Sequence, residues 1–285
     1  MRTGFKLAMA ILVGFSGLAT ALPAGATLTC DLRTAGSSCT IAGAIYRDVT
    51  TSPTGSGVID PFVRISSASN PVVAGYNTSF RPLNADNFES QVNSSPTFTR
   101  DLLLTSVPIV TIGGVQYREF LLDINQQNAN PLLSLDGVKI FLSNTASAQA
   151  TTDPAATGGG AGLGTLIYSL DGATNDNGVL LNYSLNSGSG QGDMFLDVPN
   201  SLFLAGFTNV YFWSQFGGET SGLAGNPCGS GACVNNDGFE EWAVQTPGPA
   251  VPEPATMFLG GTGLILFGYV ARKRLFGGRQ RATAI

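Results

Sequence analysis

Residues 132–142 read Leu132-Leu133-Ser134-Leu135-Asp136-Gly137-Val138-Lys139-Ile140-Phe141-Leu142. Apolar and polar side chains alternate on either side of Asp136-Gly137, as in strands that bury one face. Asp-Gly suits the centre of a type I′ turn, where both residues take positive φ. The segment therefore predicts a β-hairpin, 132–135 against 138–142. The same Ser-Leu-Asp-Gly string returns at Ser169 to Gly172. There the loop runs on through Ala173-Thr174-Asn175-Asp176-Asn177-Gly178 to Val179-Leu180-Leu181, predicting a second, similar hairpin and not a tandem repeat.

Working outward, further strands are predicted at Gly57 to Ile65, Phe98 to Val107, Gln116 to Ile124, Leu163 to Leu170, Val179 to Leu185, Met194 to Val198 and Val210 to Phe216. No window shows the apolar stripe of an amphipathic helix. Many short strands punctuated by Gly, Asn, Ser and Asp predict an all-β, β-sandwich-like domain over residues 27–245. Residues 146–164, rich in Ala, Thr and Gly, read either as a long loop or as a subdivision between two halves.

The charge is unevenly distributed. The 285-residue chain has a formal net charge of -5, 12% charged residues and no histidine. Residues 27–250 carry seven Lys/Arg against eighteen Asp/Glu, a net of -11, with Lys139 their only lysine and no base from 140 to 250. The two ends are basic. The missing histidine excludes Ser-His-Asp and Cys-His catalysis and His-ligated metals. The acidic interior excludes a nucleic-acid partner.

At the start, Arg2 and Lys6 precede an apolar run from Leu7 to about Leu22 and then Ala24-Gly25-Ala26. A basic, an apolar and a small-x-small region in that order are the parts of a secretory signal peptide, residues 1–26, addressed to the Sec export machinery. Cleavage is predicted after Ala26, with Ala21 as the alternative. At the other end, a linker at 246–250 leads into Val251-Pro252-Glu253-Pro254, an apolar stretch at 255–271 and the triplet Arg272-Lys273-Arg274. As a helix, 255–271 spans roughly 25 Å, enough to cross a thin bilayer. The basic triplet acts as a stop-transfer signal, leaving 275–285 as a cytoplasmic tail. Prolines on both sides of Glu253 favour an extended backbone that an enzyme groove can take up.

This order of motif, apolar stretch and basic cluster resembles the PEP-CTERM sorting signal of Gram-negative bacteria, over residues 251–274. The resemblance implies that Val251, Pro252, Glu253 and Pro254 are recognised by an exosortase, a membrane-embedded cysteine transpeptidase, and that the helix is a temporary anchor. It further implies an inner-membrane precursor released or attached at the periplasm, outer surface or extracellular matrix, in association with exopolysaccharide and biofilm. The tail after Arg274 is longer than is usual for the family. The β domain itself resembles no named family.

Four cysteines in two close pairs predict two local disulfides, Cys30 with Cys39 and Cys228 with Cys233, crossed pairing being the alternative. No catalytic residue or required cofactor is predicted. Calcium is the candidate cation, held by Asp171, Asn175, Asp176 and Asn177, since it takes oxygen ligands from acidic loops; the spacing does not fit an EF-hand, and Asn and Asp also occupy turns for backbone reasons. A weaker calcium candidate is 235–241. Tyr211-Phe212-Trp213 and Trp242 are candidates for a carbohydrate-stacking platform, with buried core as the competing reading. Glu240 with Glu241, or Asp193 with Glu219, are the carboxylate pairs a glycosidase would use, although adjacent strand residues point to opposite faces. The function read from the sequence is a non-enzymatic envelope or matrix protein; the alternatives are a carbohydrate- or calcium-binding adhesion module and an extracellular hydrolase.

Overall fold

The computed structural model describes residues 27–50, 59–65, 70–83, 88, 91–172, 175–188, 190–218 and 227–245. In chain order its strands are β1 (Thr27–Asp31), β2 (Ser38–Ile41), β3 (Ala44–Asp48), β4 (Ile59–Ile65), β5 (Val73–Tyr76), β6 (Leu102–Leu103), β7 (Ile109–Ile112), β8 (Val115–Asp123), β9 (Leu132–Ser143), β10 (Thr165–Ser169), β11 (Asn177–Asn182), β12 (Met194–Pro199), β13 (Asn209–Phe216) and β14 (Glu240–Gln245). Helix among the described residues is limited to four single 3-10 turns. The fold is all-β. Sheet A has the order β1-β11-β9-β13-β5, with β10 also on β9 and β6 on β13; sheet B has the order β2-β3-β12-β8-β14-β4, with β7 on β8.

The two sheets share one core. Leu133, Leu135, Val138, Ile140 and Leu142 of β9 and Phe212 of β13 meet Phe62, Phe120, Leu122 and Trp242 of sheet B. The Phe212 ring lies 4.5 Å from Trp242, 5.2 Å from Phe120 and 5.8 Å from Phe62, centroid to centroid. Trp242 spans the interface and donates its indole N–H to Ser214 Oγ at 3.0 Å, so its one polar atom is not left unpaired.

The central segment corrects the hairpin reading. Residues 132–143 form one strand, paired along one edge with β13 and along the other with β10 and then β11. Neither Asp136 nor Gly137 has the positive φ that a type I′ turn requires. Opposite them, Gln215 pairs with Gly137 and Phe216 with Leu135, so Asp136 is the extra residue of a β-bulge. The bulge accounts for the alternation that suggested a turn. Core-facing positions are odd-numbered up to Leu135 and even-numbered from Val138, and one inserted residue keeps both sets on the core side.

The second Ser-Leu-Asp-Gly string is also not a hairpin. β10 and β11 do not pair with each other; both run antiparallel to β9, end to end along the same edge. The two strings lie side by side in the sheet. Leu170 N–H still donates to Val138 O at 2.8 Å, and the chain then loops around the bulge before pairing resumes. The Phe98 to Val107 prediction is corrected as well, since only Leu102–Leu103 is strand and Leu104–Ser106 is a 3-10 turn. Strands β1, β2, β3, β5, β7 and β14 were not predicted.

Residues 146–164 are a cover and not a boundary, because strands from before and after them are interleaved in both sheets. They lie on the outer face of sheet A, with Ala148, Ala150 and Leu163 against Tyr76, Phe141, Tyr211 and Trp213. Tyr211 and Tyr76 hydroxyls accept from Ala148 and Ala150 N–H, each at 3.0 Å, while Lys139 Nζ donates to the carbonyls of Pro154 at 2.5 Å and Ala156 at 2.7 Å. Cys30 is bonded to Cys39 and so ties edge strand β1 of sheet A to edge strand β2 of sheet B. Cys228 is bonded to Cys233 and packs on Leu180 outside sheet A. No helix among the described residues is long and apolar enough to cross a membrane. The signal peptide 1–26 and the apolar stretch 255–271 lie outside the described residues.

The bulge and the loop beside it should respond differently to the same change. A Cβ on Gly137 would come within 2.7 Å of the Trp213 ring, whereas a Cβ on Gly172 meets nothing closer than 4.0 Å. Gly137→Ala is expected to cost about 1–3 kcal/mol of folding stability by overpacking, and Gly172→Ala less than about 0.5 kcal/mol, as read from urea unfolding midpoints.

Candidate functional site

The sorting residues Val251, Pro252, Glu253 and Pro254 and the basic triplet Arg272, Lys273 and Arg274 lie outside the described residues. What the structure fixes is where the chain leaves the domain. β14 is an interior strand, held between β8 and β4, with Trp242 and Ala243 buried; its last residue, Gln245, is followed by the five linker residues 246–250. Sheet B therefore cannot be completed until the segment next to the sorting residues has joined it.

In the predicted calcium loop, Asp171, Asn177 and the Asn175 carbonyl take part in hydrogen bonds within the loop. Asp171 Oδ1 accepts from Asn177 N–H at 2.8 Å, Asn177 Nδ2 donates to Leu170 O at 2.9 Å, and Gly172 N–H donates to Asn175 O at 3.0 Å. These bonds close the loop around the β9 bulge. Asp171 is pushed up to about 6, mainly by burial, although the Asn177 amide favours its charged form. Among the described residues, no three or more Asp, Glu, Cys or His side chains are grouped so that they could hold a metal. In the 235–241 segment, Asn236 accepts from Gln127 N–H at 2.8 Å, and Asn235 Nδ2 donates to Asn70 O at 2.8 Å.

The stacking platform is overturned. Tyr211, Phe212, Trp213 and Trp242 are all buried, Phe212 and Trp242 in the shared core and Tyr211 and Trp213 beneath 146–164. Their periodicity served the two faces of sheet A and the interior of sheet B. Glu240 and Glu241 face opposite sides of sheet B. Glu240 points inward and accepts from Asn125 N–H at 3.2 Å and from Gln126 Nε2 at 3.0 Å, while Glu241 pairs with Arg64 on the outside. Asp193 is buried and accepts from Ile124 N–H at 2.8 Å; Glu219 lies outside the described residues.

Two acidic groupings emerge that the linear sequence did not reveal, because each gathers residues from separate strands. On the outer face of sheet B, Glu119 of β8 sits opposite Asp197 of β12, and Arg47 of β3 bonds to both while lying over the Phe195 ring at 4.1 Å. Burial, then the neighbouring Asp197, pushes Glu119 up to about 7 against the pull of Arg47. At the opposite end of the same sheet, Asp123, Asp193 and Glu240 converge where β8 ends and β12 and β14 begin. Asp123 accepts from Gly190 N–H at 2.5 Å; burial raises it to about 6 and holds Asp193 and Glu240 well above the usual carboxylate range. Asp123 Oδ1 and Asp193 Oδ1 are buried with no hydrogen-bond partner, as suits carboxyls that retain a proton near neutrality.

The sign of the resulting pH dependence follows from linkage. These folded-state values lie above the roughly 4 of carboxyls in an unfolded chain, so the folded chain binds more protons. Their stabilisation is full below about pH 4 and is lost as pH rises through the raised values, about 6 for Asp123 and about 7 for Glu119. The urea midpoint of the disulfide-intact protein is therefore expected to be higher at about pH 5 than at about pH 8, and Asp193→Asn to narrow the difference; a midpoint that rises across this interval contradicts the assignment.

Residues 250–274 match the family model of the PEP-CTERM protein-sorting motif. No curated protein and no solved structure matches the chain. The β domain is thus joined at its interior strand β14 to a PEP-CTERM sorting motif, which implies an exported protein, a membrane-anchored precursor and processing by an exosortase.

Proposed function

We propose that this chain is a non-enzymatic structural protein of the cell envelope or extracellular matrix, delivered by exosortase processing and associated with exopolysaccharide in a biofilm. The observation that carries the reading is the sorting motif at 250–274, placed directly after the last strand of a two-sheet, disulfide-bonded domain. The signal peptide sends the chain through the Sec machinery, the stretch at 255–271 holds it in the inner membrane, and Arg272, Lys273 and Arg274 keep the tail in the cytoplasm. Exosortase then acts at Pro252-Glu253-Pro254.

Several properties support the cargo role. The domain is acidic, at -11 over 27–250, which favours solubility and repulsion between copies once released. Its arginines are committed to internal partners: Arg47 to Glu119 and Asp197, Arg64 to Glu241 between the Phe98 and Phe239 rings, and Arg118 to the carbonyls of Leu104 and Val107. Disulfides suit an oxidising compartment, where they persist without reduction.

The test is made in the native host. With Pro252, Glu253 and Pro254 all replaced by alanine, the protein is expected to accumulate in the membrane fraction at a mass larger by the segment 255–285. Unchanged mass and unchanged release would contradict sorting through this motif.

A further inference from the structure

The six large apolar side chains that stand exposed among the described residues are Val72, Leu103, Ile109, Val115, Leu166 and Leu204. Four of them share one end of the sandwich. Leu103 pairs with Asn209 at the start of β13; Ile109 and Val115 belong to the β7–β8 hairpin; and Leu204 follows the turn after β12. These elements meet at Arg118, whose guanidinium donates to the carbonyls of Leu104 and Val107 and to Asn200 Oδ1. Leu103 is 52%, Ile109 46%, Val115 51% and Leu204 52% exposed.

The chain leaves the domain at this same end. β14 runs antiparallel to β8, with Glu241 opposite Asp123 and Ala243 opposite Leu121, so Gln245 lies toward the first residues of β8. From Gln245 to the start of the apolar stretch at Ala255 is ten residues. Fully extended, they reach about 35 Å, so an anchored chain keeps this end near the bilayer. At this end Arg81 bonds the Thr99 carbonyl and Arg100 is paired with Asp60.

We propose that the exit end is a lipid-facing surface, with Leu103, Ile109, Val115 and Leu204 seated in the headgroup region while the precursor is anchored. The inference rests on the sorting reading and adds to it an orientation: the domain stands on the bilayer with its exit end inward and the end where β8 stops outward, which presents Pro252-Glu253-Pro254 at the membrane surface. Once the anchor is cut, the four side chains on their own bury too little to hold the domain on lipid, and it can leave.

The test uses the full chain inserted into vesicles of phosphatidylethanolamine and phosphatidylglycerol in which the phosphatidylethanolamine is brominated. Leu204→Trp and Val115→Trp place a fluorophore at the exit end, and Val72→Trp places one at the opposite end, where Val73 pairs with Phe216; native Trp213 and Trp242 are buried and give a common background. Quenching by the brominated lipid is expected to be at least about twofold greater for the exit-end variants than for Val72→Trp. Equal quenching at the two ends, with the chain floating with the vesicles, overturns the orientation and leaves anchoring intact. A chain that does not float with the vesicles overturns the anchoring on which the proposal rests.

Discussion

The strand β9 is buried on both faces and paired along both edges, and the other elements of the domain are arranged around that constraint. A strand so placed needs apolar side chains on the core side at every level. Its alternation nevertheless changes parity between Leu135 and Val138. Asp136 resolves the conflict as an inserted residue, and Gly137 leaves room for the Trp213 ring on the outer face. On the neighbouring edge, the break between β10 and β11 lets the chain pass around the bulge. The cover at 146–164 then protects the outer face that β9 and β13 share, and Lys139 reaches out from β9 to hold its carbonyls.

Sheet B supplies the opposing half of the core and the route out. Its interior strand β14 carries Trp242 into the interface and then passes, after Gln245, into the segment bearing the sorting motif. Folding and sorting are thereby adjacent along the chain, so the last strand to leave the export channel is one that the fold needs before sheet B is complete. Acidic residues gather in two groupings at opposite ends of this sheet. Arg47 and Arg64 offset some of them, and retained protons offset others.

The all-β class, the positions of most long strands and the sorting motif were legible in the sequence, because each rests on local pattern: alternation of period two, Gly and Asn punctuation, or a motif followed by an apolar stretch and a basic triplet. The Asp-Gly strings misled for a physical reason. A bulge and a two-residue turn both interrupt alternation and both favour Asp and Gly, and only the pairing partners distinguish them. Strand β14 was missed because two adjacent carboxylates interrupt its apolar alternation, although Glu240 faces inward among Asn125 and Gln126 and Glu241 is held by Arg64. The aromatic run Tyr211-Phe212-Trp213 alternates between the shared core and the covered outer face, and a strand buried on both sides carries no sign in its own sequence of what covers it. The junction of Asp123, Asp193 and Glu240 joins three strand ends far apart in the chain, beyond the reach of any local reading.

The continuity of β9 is the claim on which the rest stands, and cross-strand proton contacts observed by nuclear magnetic resonance test it most directly. The account predicts contacts between the backbones of Leu133 and Leu181, and of Ile140 and Phe212, with none between Leu133 and Ile140. A folded-back hairpin at Asp136-Gly137 would bring Leu133 and Ile140 side by side, and that contact would contradict the account.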